Sequence, residues 1–234
     1  MILQAVIFDL DGTLLDTLGD LADAVNQALE ADGLPALPEA RYRWLVGSGI
    51  RRLCRLAAVE AAGGRIDDER SVAAFPDERV DRLLHHFTEA YQKHWQRRTK
   101  PYPGVDRLLE GLHAQGIPLA VLSNKRDDFV QEIAAHFFRP ELFRTVAGQK
   151  TDWPAKPDPA STLAICRQLG ASPCQTVLVG DSDLDMLTAV AAGCLPMGAV
   201  WGFRGADELR RSGAERLVLS PEDCHNQLLE LVKE

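Results

Sequence analysis

The residues able to do chemistry in this chain stand at the ends of apolar runs. Asp9 and Asp11 flank Leu10 directly after Ala5-Val6-Ile7-Phe8, and Gly12 and Thr13 follow them. Ser123 and Asn124 end a second run, Leu119-Ala120-Val121-Leu122. A third run, Thr176-Val177-Leu178-Val179, passes into Gly180-Asp181, and Asp185 comes four residues after Asp181. That spacing sets both acids on one side of a helix beginning there. If the runs are parallel strands of one open sheet, their polar ends share a rim, where such sheets bind ligands. The crowding is costly: two like charges about 4 Å apart repel by about 4 kcal/mol at an effective dielectric of about 20. Asp9, Asp11, Asp181 and Asp185, with Asp183 nearby, therefore need protons or a divalent cation as counter-charge. The candidate ligands are oxygens, with no His or Cys among them, which favours Mg²⁺.

The elements that must hold these residues follow from periodicity. Continuous apolar runs of this length suit strands buried on both faces. Leu195 to Trp201 is a weaker run, Phe143 to Ala147 a shorter one, and Arg216 to Leu219 a candidate edge. Between them lie helical patterns: Leu108, Leu109 and Leu112 before Gly116; Phe129, Val130, Ile133, Ala134 and Phe137; Leu163, Ala164 and Leu169 before Gly170; Leu184, Leu187 and Ala191 before Gly193. Spacings of three and four closed by Gly are a helix signature. The alternation predicts an α/β fold with a Rossmann-like parallel-sheet core and right-handed crossovers. From about Thr17 to Thr99 the alternation stops and helical stripes take over, among them Leu18, Leu21, Val25 and Leu29, and Val80, Leu83, Leu84, Phe87, Tyr91 and Trp95. The expected organisation is a core of residues 1–16 and 100–234 with an inserted all-α unit at 17–99. Lys100-Pro101-Tyr102-Pro103-Gly104 reads as a stiff return linker.

Composition narrows the classes. The chain has 234 residues, 46% of them apolar, so it can bury a sizeable core and is not intrinsically disordered. A net charge of -8 argues against a general nucleic-acid or anionic-membrane binder. No apolar run approaches the ~18–20 residues of a membrane helix. MILQAVIFDL has neither the basic start of a signal peptide nor the pattern of a transit peptide. The five cysteines are widely spaced, without a CxxC pair, which suits a reduced cytoplasmic protein and argues against cysteine-ligated zinc. They read as buried small hydrophobes.

Taken together, Asp9-Leu10-Asp11-Gly12-Thr13, Ser123-Asn124, Lys156-Pro157 and Gly180-Asp181-Ser182-Asp183-Leu184-Asp185 resemble, in order and spacing, the four motifs of the haloacid-dehalogenase superfamily of phosphohydrolases. The inserted helices resemble that family's small α-helical cap. Pro101-Tyr102-Pro103-Gly104-Val105 and Trp201-Gly202-Phe203 resemble its phosphoglycolate phosphatase branch. The resemblance implies that Asp9 is the nucleophile, forming an aspartyl-phosphate, and Asp11 the general acid and then base. It implies that Asp9, the Asp11 carbonyl and Asp181 hold Mg²⁺, with Asp185 ligating directly or through water. Thr13, Ser123, Asn124 and Lys156 would bind the phosphoryl group, Lys156 also neutralising the nucleophile. The acid at Asp11 separates this chain from dehalogenases and phosphonate hydrolases, which lack it. The substrate expected is a small phosphorylated metabolite, 2-phosphoglycolate first, and the protein a monomer or homodimer. Hinged closure near Asp16 to Gly19 and Thr99 to Gly104 would exclude water.

Other readings of the same residues stand beside these. A phosphosugar mutase or a nucleotide or pyrophosphate phosphatase would carry the same motifs, and a non-catalytic binding protein could keep the fold. Lys150 competes with Lys156, but Lys156 precedes the Pro157-Asp158-Pro159 turn. Asp183 reads as a helix N-terminal acid. In the insertion, Gly47, Ser48 and Arg51 are expected to face the substrate, Arg suiting a bidentate anion contact. The plainer reading of Arg41, Arg43, Arg51, Arg52 and Arg55 is a solvated helix face. Trp44, Trp95, His85 and His86 read as packing or surface residues.

Overall fold

Ala5–Phe8 (β1) is fully buried, as a strand covered on both faces must be, and it forms the middle of a parallel six-stranded sheet. In the computed structural model, which describes residues 2–151 and 153–233, the remaining strands are β4 (Leu119–Arg126), β5 (Thr145–Gln149), β6 (Thr176–Gly180), β7 (Leu195–Ala199) and β8 (Arg216–Val218). Their order is β5-β4-β1-β6-β7-β8, every neighbouring pair parallel. Two-residue strands β2 (Leu15–Asp16) and β3 (Lys100–Pro101) pair with each other, where the sequence suggested only a linker. Asp152 lies outside the described residues.

The register sets the site. Phe8 lies opposite Val121 on β4 and Val179 on β6, so the next residues, Asp9, Leu122 and Gly180, come level, at the carboxyl ends of β1 and β6 and midway along β4. From β1 the chain goes on to β4 on one side, and from β6 to β7 on the other. The crevice of an open α/β sheet lies where such directions diverge, here between β1 and β6. Ile7, Ala120, Leu122, Ala147, Ile165, Leu178 and Ala189 form one buried layer.

The chain divides into two compact units, one from Thr17 to Lys100 and the other comprising the remainder. In the sheet unit the helices are α6 (Val105–Ala114), α7 (Asp127–Phe137), α8 (Ala160–Leu169), α9 (Asp183–Ala192), α10 (Ala206–Arg211) and α11 (Pro221–Lys233). The helical unit holds α1 (Leu18–Ala31), α2 (Glu39–Tyr42), α3 (Ile50–Ala61), α4 (Glu69–Ala74) and α5 (Asp77–His94). Leu21, Val25 and Leu29 of α1 and Val80, Leu83, Phe87 and Tyr91 of α5 are buried, and the Phe87 and Tyr91 rings stack at 5.2 Å. Asp20, buried in the first turn of α1, accepts from the Arg98 amide, the Thr99 amide and the Thr99 hydroxyl, the last two at 2.8 Å.

Three expectations change. Strand β4 does not stop at Leu122 but runs through Ser123, Asn124 and Lys125 to Arg126, with a register shift against β5. On α9 the stripe read from sequence is turned outward: Leu187 is exposed, and Asp185, Met186, Thr188, Ala189 and Ala192 are buried. This helix is apolar on both faces, and its orientation is decided by where Asp185 is bound. Finally, Cys54, Cys166, Cys194 and Cys224 are buried but Cys174 is exposed, in the short turn Pro173–Gln175.

Candidate active site

Lys156 gathers the acids. Its ammonium donates to Asp9 Oδ1 at 2.8 Å, to Asp185 Oδ1 at 2.5 Å and to the Leu122 carbonyl at 3.2 Å. Its position is set by Asn124, whose side-chain oxygen accepts from the Lys156 amide at 2.8 Å while its NH₂ donates to the Lys156 carbonyl at 3.1 Å. The Lys156–Pro157 peptide is cis. Asp185 is fixed from its other oxygen, which accepts from the Ser182 amide at 3.1 Å and the Ser182 hydroxyl at 2.6 Å. This is the capping box that starts α9, so one interaction begins the helix and aims the carboxylate.

Asp181 accepts from the Phe203 amide at 2.7 Å and from the Thr13 hydroxyl at 3.3 Å. The Trp201 indole donates to the Thr13 carbonyl at 3.0 Å, so the Trp201–Phe203 segment buttresses both. Gly12 has φ +84°, and a Cβ there would strike the Asp181 carboxylate. A Cβ on Gly180 would likewise strike Asp185. Both glycines are therefore required by the close approach of backbone to carboxylate.

Asp9, Asp181 and Asp185 each offer an oxygen, and these atoms lie within 4.8 Å of one another. Burial pushes the Asp9 carboxyl up to about 7; Lys156 opposes the shift while Asp185 and Asp11 add to it. Burial likewise raises Asp181 well above the usual carboxylate range, helped by the charges of Asp9 and Asp185. Burial works against the charge on Lys156, but Asp185 and Asp9 outweigh it and hold the ammonium above an ordinary lysine.

The second lysine of the rim is Lys125, which the motif reading passed over. Its ammonium donates to both oxygens of Asp11, at 2.6 and 2.9 Å. The pair is sheltered, the side chains being 2% and 12% exposed. The Lys125 amide donates to the Ser123 hydroxyl oxygen at 3.2 Å. Lys125 became reachable only because β4 continues past Leu122; alternation from Ser123 was the available sequence signal. When all four acids are ionised, Lys125 and Lys156 cancel two of the four negative charges of Asp9, Asp11, Asp181 and Asp185, leaving two.

Asp9, Asp11, Thr13, Ser123, Asn124, Lys156, Asp181 and Asp185 thus converge at one end of the sheet. Lys150 is elsewhere engaged, 3.7 Å from Asp127 and over the Trp153 ring. Gly47, Ser48 and Arg51 belong to the helical unit, at the start of α3. Arg51 pairs there with Asp81 and with Asp77 at 3.1 Å, Arg52 with Glu69, Arg55 with Asp77 and Arg41 with Glu60. Trp95 is buried, Trp44 exposed, and His85 lies 3.7 Å from Glu89.

The parallel sheet with its acidic, lysine-bridged rim is the architecture of a hydrolase class that the comparisons identify. Residues 6–199 match the family model for haloacid dehalogenase-like hydrolases, and the chain belongs to that family. It is 37% identical over 208 residues to a phosphoglycolate phosphatase of Psychrobacter arcticus, covering 89% of this chain and 88% of that one. It is 35% identical to a phosphoglycolate phosphatase of Chromobacterium violaceum, with 93% of each chain covered. A crystal structure from Lactobacillus delbrueckii subsp. bulgaricus superposes with a TM-score of 0.89 at 32% identity, over 97% of this chain and 99% of that one.

Proposed function

We propose that the chain is a Mg²⁺-dependent phosphomonoesterase working through an aspartyl-phosphate on Asp9, with 2-phosphoglycolate as its first candidate substrate. The observation that carries the reading is the Asp9–Lys156–Asp185 contact beside Asp181. The substrate rests on the names of the relatives. The donors fit the cation: all are oxygens, they are mutually close and buried, and burial raises the carboxyls of Asp9 and Asp181 above the usual carboxylate range. Asp9, Asp181 and the Asp11 carbonyl would hold it, with Asp185 direct or through water. Bound Mg²⁺ supplies positive charge that lets an anionic phosphoryl group approach a carboxylate.

In this reading the Asp9 carboxylate attacks phosphorus as the bond to the ester oxygen breaks. Asp11 gives its proton to the departing oxygen, which leaves as an alcohol. Asp11, now a base, takes a proton from water; the water oxygen bonds to phosphorus, and the bond to Asp9 breaks, restoring the carboxylate and releasing phosphate. Lys156 balances the nucleophile and the equatorial oxygens. Ser123, Thr13 and the backbone at Asn124 orient the phosphoryl group. Within the helical unit, Gly47 and Ser48 are the residues proposed to contact the substrate. Arg51 joins them only by exchanging Asp77 and Asp81 for the substrate carboxylate.

Phosphate release from 2-phosphoglycolate should require Mg²⁺ and fall by at least about 10⁴-fold in Asp9→Asn, the nucleophile being lost. Turnover that persists in that variant sinks the mechanism. Turnover confined to other phosphate esters removes only the substrate.

A further inference from the structure

The reaction assigned above uses one lysine, yet the rim holds two, each on a different acid. Lys156 contacts Asp9 and Asp185; Lys125 contacts Asp11 through both carboxylate oxygens. A carboxylate three residues past a strand end has a side chain free to turn between several rotamers. A transferable proton is useful only if it is delivered from one place, since misplacement by about 1 Å can cost about 100-fold in rate. Two charge-assisted hydrogen bonds from one sheltered ammonium remove that freedom. Lys125 is itself held, by the strand continuing through it and by its amide on Ser123. The clamp is therefore built into β4, the strand that also carries Ser123 and Asn124.

We propose that Lys125 is the positioning residue of Asp11, fixing the carboxyl group that donates a proton and then, as the carboxylate, accepts one, while Lys156 serves the nucleophile. The proposal rests on the phosphatase reading and adds to it a division of labour between the two lysines. Lys125 acts through Asp11, so its removal must injure the steps that move a proton and spare those that do not. The leaving alkoxide of 2-phosphoglycolate needs a proton; the phenolate leaving 4-nitrophenyl phosphate hardly does. Hydrolysis of the phosphorylated enzyme needs a base with either ester.

The test is kinetics on purified Lys125→Met, Lys125→Arg, Asp11→Asn and the double variant, with melting curves on each. For Lys125→Met, kcat on 2-phosphoglycolate should drop by about 100-fold with KM little changed. With 4-nitrophenyl phosphate the same variant should release a rapid burst of about one nitrophenolate per site and then turn over slowly. Lys125→Arg should regain most of the lost rate, since it restores the charge and two donors. In the Asp11→Asn background, Lys125→Met should add less than about a twofold loss, because there is no acid left to position. Should Lys125→Met fail to fold, the double variant, which removes the whole pair, and Lys125→Arg carry the comparison with Asp11→Asn.

A loss carried by KM, equal for both esters and multiplying with that of Asp11→Asn, overturns the proposal and makes Lys125 a phosphate ligand. Full activity in Lys125→Met overturns it as well. If the wild-type protein releases phosphate from neither ester, the phosphatase reading itself has failed, a result distinct from either.

Discussion

Asp9 is the residue on which the chemistry and the electrostatics meet. Burial holds its carboxyl up to about 7, and Asp181 is raised for the same reason. The sign of the consequence follows from proton counting. An unfolded aspartate loses its proton near 3.9, so between about pH 4 and pH 7 the folded metal-free protein binds more protons than the unfolded chain. Stability of the metal-free protein therefore falls as pH rises through that window. A cation bound by the same oxygens competes with those protons, so its effect grows with pH. Mg²⁺ at about 100 times its dissociation constant should raise the melting midpoint by about 5–10 °C at pH 8 and by clearly less at pH 5.5. Calorimetry with and without the metal checks this; an identical shift at both pH values would remove the carboxylates from the cation's shell. Lys156 is the other half of the balance: without it, Asp9 and Asp185 face each other with no counter-charge.

At the scale of elements, the start of α9 shows how a local rule does distant work. Ser182 caps the helix and, by the same hydroxyl, holds Asp185 at 2.6 Å. Ser182→Ala should cost about 1 kcal/mol in urea unfolding, the usual loss of a cap. It should also weaken Mg²⁺ binding by about tenfold, as loss of a group supporting a ligand does. Titration of the metal by calorimetry separates the two effects: a stability loss with unchanged affinity would leave Asp185 outside the cation site. The capping box was readable, since Ser182 precedes Asp185 by three residues just after an apolar run. Which face of α9 turns inward was not, because Leu184, Leu187 and Ala191 offer as good a stripe as Met186, Ala189 and Ala192. The burial of Asp185 against Lys156 decides between them.

At the scale of the molecule, a single buried acid ties the two ends of the helical unit. Asp20, in the first turn of α1, takes three donors from Arg98 and Thr99, the residues that close the unit. Asp20→Ala strands these donors in a buried place and should destabilise the protein by about 2–3 kcal/mol. Hydrogen exchange at the Arg98 and Thr99 amides should quicken with it, while the amides of β1 keep their protection. An unaltered exchange rate at those two positions would show that other contacts hold the ends together. Asp20 was invisible in the sequence, where it is one acid in a helix among others; its partners are more than seventy residues away.

By itself the sequence determined the alternation of buried strands and helices, the helical insertion, and the acids at the strand ends, while Lys156 was found through its motif resemblance. These are legible because burial on both faces demands unbroken apolar runs, and because charge at their ends can be tolerated only at a rim. The tertiary structure alone decided that β4 runs on to deliver Lys125 to Asp11, that Asn124 spends its amide on the backbone of Lys156, and that the Trp201–Phe203 segment closes over Thr13 and Asp181. Such contacts join residues far apart in the chain, and short-range periodicity carries no information about which of many available polar partners a side chain will meet.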